Sequence, residues 1–207
     1  MQHELGPQLV KGGWCQILAV LGHPELCAKV LVPKRRFQGG RPDPNHIVST
    51  KYGITDFLDY EWANYQKIMN VCPADLRAHF VAMHGVTTAI DGRKALIMDV
   101  VRDDRGKIAP SLAKNTRVLS PVFWRTLDRI RREVFLNHAI DHFGIVRRNI
   151  LVKNPDHPVF IDFQTGRERF RGQFWLRWPF FVRAKINRCF RKLEKELGVS
   201  LRPPHTP

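Results

Sequence analysis

The residues best equipped for chemistry lie between His142 and Gly166, in HFGIVRRNILVKNPDHPVFIDFQTG. A basic pair, Arg147-Arg148, precedes Asn149, which leads into the apolar run Ile150-Leu151-Val152. A turn containing Asn154, Pro155, Asp156 and Pro158 returns the chain through Val159-Phe160-Ile161 to Asp162 and Phe163. Antiparallel pairing of the two runs brings an amide oxygen at the mouth of one strand close to a carboxylate at the tip of the other. Two oxygen donors so placed suit a hard cation such as Mg²⁺ and the phosphates it carries. Arg147 and Arg148 either bind an anionic acceptor or transferring phosphate beside that site, or form a solvent-facing basic loop.

The chain around this hairpin has 207 residues and is 43% hydrophobic, enough for a real core in one domain or one domain with two lobes. No run approaches the roughly eighteen uncharged apolar residues of a membrane-spanning helix. The start, MQHELGPQLVKGG, lacks the basic-then-apolar pattern of a secretory leader. The expectation is a cytoplasmic chain, with a peripheral position at the inner membrane left open. Cys15, Cys27, Cys72 and Cys189 are scattered and form no CxxC pair, which excludes a zinc-ligand spacing and a disulfide framework. The formal charge of +15 favours a polyanionic partner: nucleic acid, an anionic membrane face or a phosphorylated glycan. A solvated basic surface without a partner is the plainer alternative.

The elements that must position the hairpin follow from periodicity. Residues 9–31, LVKGGWCQILAVLGHPELCAKVL, read as three short strands with turns at Gly12-Gly13 and Gly22-His23-Pro24. Lys29 is a lone charge in the third run, pointing either to solvent or inward to a phosphate. Residues 33–50 form a basic Gly/Pro-rich loop. Over 56–70, Phe57, Tyr60, Ala63, Tyr65 and Ile68 recur at helical spacing, and Glu61 in that helix is either a surface residue or a partner for Lys29. A hairpin follows over 78–101 with the turn Asp91-Gly92-Arg93, its second strand ending in Met98-Asp99-Val100-Val101. Residues 121–142 predict one long amphipathic helix, with Val122, Phe123, Leu127, Ile130, Val134, Phe135 and Ala139 as its stripe.

The C-terminal stretch interleaves Arg with Phe170, Phe174, Trp175, Trp178, Phe180, Phe181 and Phe190. Pro179 breaks it, and residues 181–197 have helical periodicity ending before a capping Gly198. That composition fits an interfacial helix, a nucleic-acid face, or a docking helix whose aromatics are buried. The tail over 201–207 is expected to be disordered.

A glycine turn between strands, a strand lysine, a helix glutamate, a hairpin, a long helix, and loop-Asn-strand-turn-strand-Asp-Phe together resemble the order of the protein-kinase-like fold. LCAK at 26–29 resembles its lysine strand, and His142 precedes Asn149 at the spacing of the HRDxxxxN loop. The chain is more closely similar to the YrbL family, small bacterial kinase-fold proteins named for the PhoP regulatory network. That resemblance rests on HPELCAKVL (23–31), EWANYQKI (61–68) and LIMDVVRDDRGKIAPSL (96–112). It implies an α+β, two-lobed fold: a small antiparallel sheet with one helix over 1–100, and a reduced, mainly helical lobe over 101–200. It also implies ATP and Mg²⁺ as cofactors. Gly12 and Gly13 would cover the phosphates, Lys29 held by Glu61 would contact them, Met98 and Val100 would meet the adenine, and Asn149 and Asp162 would hold the metal.

The chain departs from an active kinase at one decisive position. Gly144 stands where the catalytic aspartate belongs, and glycine can neither orient a hydroxyl nor accept its proton. Asp141 is the nearest substitute. Gln164 follows Asp162-Phe163, with Gly166 displaced, and Val10 replaces the first loop glycine. The alternatives are therefore a phosphotransferase acting on a small or envelope-glycan substrate, a pseudokinase without transfer chemistry, or a basic nucleic-acid-binding protein.

Overall fold

The computed structural model describes residues 3–11, 15–32, 56–140, 145–163, 175 and 178–201. The fold is mixed α+β, in two compact units. One comprises Met1–Tyr65 and Ala82–Val100, the other Gln66–Val81 and Val101–Pro207.

The first unit is built on a five-stranded antiparallel sheet of β1 (Leu5–Lys11), β2 (Cys15–Val20), β3 (His23–Leu31), β4 (Met83–Thr88) and β5 (Lys94–Asp99), in the order β1-β2-β3-β5-β4. The Asp91-Gly92 turn joins β4 to β5, and Gly92 takes φ 80°, a left-handed value that favours glycine. Strand alternation sorts the side chains onto two faces. Leu18, Val20, Ala28, Val30, Ala95 and Ile97 form a buried cluster on one of them. Lys29 on β3 and Lys94, Leu96 and Met98 on β5 share the other, because Lys29 pairs with Leu96 and Cys27 with Met98.

Helix α1 (Phe57–Val71) lies on that second face. Asp56 starts it, its carboxylate accepting the Leu58 and Asp59 amides at 2.9 and 3.1 Å. Lys94 then pairs with Asp56 at 3.3 Å and Asp59 at 2.5 Å. The buried stripe of α1 differs from the expected one. Ala63 is exposed, while Glu61 and Asn64 are buried beside Phe57, Tyr60 and Ile68. Periodicity counts apolar residues only, so two buried polar side chains displaced the stripe that it predicts.

The second unit contains a 3₁₀ turn (Ala74–His79), helix α2 (Pro121–Arg129), a π-helical segment (Ile130–Leu136), a 3₁₀ turn (Arg147–Asn149), the hairpin β6 (Ile150–Asn154) and β7 (His157–Phe160), and helix α3 (Pro179–Leu197). The expected continuous helix over 121–142 thus widens after Arg129. Its amides reach back five residues there, Asn137 to the Arg132 carbonyl and Ile140 to the Phe135 carbonyl. The wider turn lets the adjacent Val134 and Phe135 both be buried, alongside Ile130. Phe80, Phe135, Phe160, Phe163 and Phe190 interlock around them, with ring centroids 5.6 to 6.3 Å apart.

Ser120 ties α2 to the hairpin. Its Oγ accepts the Val122 and Phe123 amides at 3.1 and 3.4 Å and donates to the Asp156 carboxylate. Ser120→Ala removes both roles, and chemical denaturation should show a loss of about 1–2 kcal/mol. At the other end of the unit, Gly198 closes α3 with φ 65°, its N–H donating to the Glu194 carbonyl. No helix among the described residues is long and apolar enough to cross a membrane.

Candidate functional site

In the first unit, the position of α1 turns Lys29 inward, away from solvent. The lysine is 7% exposed and its Nζ donates to both carboxylate oxygens of Glu61, at 2.8 and 2.6 Å. Glu61 itself is fully buried. The Phe57 ring lies 5.9 Å from the same ammonium group, a contact that sequence spacing did not suggest. Phe57 and Glu61 are one helical turn apart, so a single face of α1 supplies both an anionic and an aromatic partner for the cation. Asn64, the next residue along that stripe, buries an Nδ2 with no partner among the described residues.

Met98 is buried on the Lys29 face of the sheet, directly opposite Cys27 and also paired with Met83. Val100 continues beyond β5, its amide donating to the Glu25 carbonyl at 2.8 Å. Desolvation, reinforced by the Asp99 carboxylate, pushes the Cys27 thiol up to about 12. This cysteine therefore stays protonated and is no nucleophile. Lys29, Glu61 and Met98 are thus gathered on one side of one sheet. Gly12 and Gly13 lie outside the described residues.

In the second unit, the β6–β7 register sets Ile150 against Phe160. One residue before Ile150 is Asn149, whose carbonyl accepts the Ile161 amide at 2.9 Å. The chain then turns at Asp162, which adopts φ 66°. A left-handed conformation in a residue other than glycine has a conformational cost, least for Asp and Asn, and clusters at functional positions. With that turn made, Asn149 Nδ2 donates to Asp162 Oδ2 at 3.2 Å. Asn149 is 8% exposed, and Phe163 packs fully buried against Phe80. The pair that spacing placed together is together.

An amide oxygen and a carboxylate are the hard donors that Mg²⁺ takes, and this ion commonly uses one or two carboxylates with phosphate and water completing its shell. The donor set therefore fits Mg²⁺. Among the described residues no group of three or more His, Cys, Asp or Glu side chains forms an all-protein metal cage. Arg147 spends its guanidinium on Glu196, at 3.0 Å, while Arg148 is exposed. Both begin the 3₁₀ turn that Asn149 ends. Asp141 and Gly144 lie outside the described residues.

Two features leave little mark on the residue order. The φ of Asp162 leaves no mark on residue type beyond the tolerance of Asp for that region. The network in which buried Asp128 accepts from Arg131 and from the exposed Arg132 at 2.5 to 2.9 Å was readable as i,i+3 and i,i+4 pairs, but only tertiary packing buries the carboxylate.

No protein-family model matches the chain, and no curated protein is significantly similar to it.

Proposed function

We propose that the chain is a nucleotide-binding protein of the two-lobed protein-kinase-like fold, similar to the YrbL family, that takes ATP with Mg²⁺. The buried Lys29–Glu61 pair carries this reading. Two charges taken out of water gain little net stability over an apolar pair of the same volume. A polyanionic ligand gives the lysine a purpose that stability does not. In its first unit the chain orients Lys29 through Glu61 toward phosphate oxygens, with Met98 and the strand end at Val100 meeting the adenine. In its second unit Asn149 and Asp162 supply the metal donors, and Arg148 a cation for an anionic acceptor. Mg²⁺, when bound, neutralises phosphate charge.

Gly144 favours a regulatory pseudokinase over a phosphotransferase, since glycine stands at the motif position of the aspartate that orients an acceptor hydroxyl. The reading as a general nucleic-acid binder rests on the +15 charge alone.

Thermal and chemical denaturation with ATP and Mg²⁺ test the binding. At a ligand concentration of about 100 Kd, the wild type should gain about 2.7 kcal/mol. Asp162→Asn, which tolerates the left-handed φ while losing the charge, should lose most of that gain with little change in its own stability. Absence of any shift in the wild type would refute nucleotide binding. ADP release on adding an envelope glycan would decide for the phosphotransferase over the pseudokinase.

A further inference from the structure

Helix α3 has two faces of opposite chemistry. At about 100° per residue, Val182, Ile186, Phe190 and Leu193 fall on one side, and all four are buried. The same geometry puts Phe180, Phe181, Arg188, Arg191, Lys192 and Lys195 on the opposite side, and all six are exposed. No carboxylate interrupts that outward face. The two acidic residues of the helix sit on its flanks and are engaged: Glu194 accepts the Leu201 amide at 2.8 Å, and Glu196 pairs with Arg147 at 3.0 Å and Lys192 at 3.9 Å.

The charge is also graded along the helix. Its basic side chains begin after the first turn, and the N-terminal end is aromatic. Phe180 is 73% exposed, Trp178 53% and Phe181 43%. Their rings lean on one another, Trp178 to Phe181 at 6.1 Å and Phe180 to Phe181 at 5.5 Å, in a single apolar knob. A phenylalanine has no polar tip to satisfy in water, and contiguous exposed aromatics mark an interaction site. Of the readings open to this segment, burial of all its aromatics is excluded, since only Phe190 is buried in the helix.

We propose that the outward face of α3 docks the protein on an anionic lipid bilayer. The Trp178-Phe180-Phe181 knob enters the headgroup–acyl boundary, where indole and phenyl rings partition. Arg188, Arg191, Lys192 and Lys195 meet lipid phosphates along the surface. Charge complementarity selects the occupant: a cation-only face backed by a net charge of +15 meets a negative leaflet. A nucleic acid would satisfy the cations, but it offers no apolar medium for rings packed tilted and edge-on against one another rather than laid open for base stacking.

The full-length chain should sediment with vesicles of phosphatidylcholine and phosphatidylglycerol and stay in solution with phosphatidylcholine alone. Tryptophan emission should shift to the blue on binding and be quenched by lipids brominated in the acyl chain. Phe180→Ser with Phe181→Ser should weaken vesicle affinity roughly tenfold, and each of Arg188→Gln and Arg191→Gln roughly fivefold, with circular dichroism unchanged. Vesicle binding indifferent to the phenylalanine changes, with unquenched tryptophan, would reduce the contact to diffuse charge and overturn the proposal. So would absence of vesicle binding, whether or not the chain then binds duplex or single-stranded DNA. None of these readouts involves ATP, so they stand apart from the nucleotide test.

Discussion

Lys29→Met is expected to destabilise the protein by about 3–5 kcal/mol, and the Lys29→Met/Glu61→Leu double variant to recover most of that loss. The single change leaves the Glu61 carboxylate fully buried without the ammonium that donates to both its oxygens. The double change replaces the ion pair with apolar side chains of similar volume, and the β3–α1 contact survives. The same pair of variants separates stability from function. If Lys29 serves a phosphate, the double variant will be folded near its wild-type stability yet give no stabilisation with ATP and Mg²⁺. Denaturant midpoints with and without nucleotide read both quantities. A double variant as unstable as the single one would mean that the pair holds α1 against the sheet through geometry that Met and Leu cannot reproduce. A double variant that kept its full ATP response would remove Lys29 from the binding account.

Phe160→Ala should cost about 3–5 kcal/mol, through lost apolar transfer and the cavity left among close-packed rings. Phe160 is fully buried, stacked on Phe80 at 5.6 Å and edge-on to Phe135 at 5.8 Å. It also holds backbone in place, its carbonyl accepting the Val81 amide at 3.0 Å. Because Phe160 is two residues ahead of Asp162 and opposite Ile150, slackening there reaches the Asn149–Asp162 pair. If that pair serves Mg²⁺ as proposed, the variant should therefore lose part of any stabilisation by ATP and Mg²⁺ as well. Phe180→Ala, at a ring of the same chemistry left 73% exposed, should change the free energy of unfolding by less than about 0.5 kcal/mol. Equal costs at the two positions would contradict the assignment of one to the core and the other to the surface.

Several features of this molecule are local, and the amino-acid order determines them by itself. Asp91-Gly92 makes its turn because glycine accepts φ 80°, and Gly198 ends α3 because it accepts φ 65°. The hairpin that brings Asn149 to Asp162 follows from two apolar runs and a polar turn a few residues long, so short-range pairing alone assembles the candidate metal pair.

Where the outcome depends on distant segments, residue order left two answers and only the tertiary structure chose. Strand alternation gave Lys29 a face without saying whether that face met water. The crossing of α1, 32 residues further on, buried it against Glu61. Helical period put Val134 and Phe135 on adjacent sides of one helix, and the ring cluster around Phe80 and Phe160 was satisfied by widening the turn there. Arg, Trp and Phe interleaved after Phe170 specified no interior. The packing of Val182, Ile186, Phe190 and Leu193 into the core decided which aromatics would be left outside. The physical reason is the same in each case: propensity and pattern act over a few residues, whereas burial is set by whichever remote surface arrives to exclude the water.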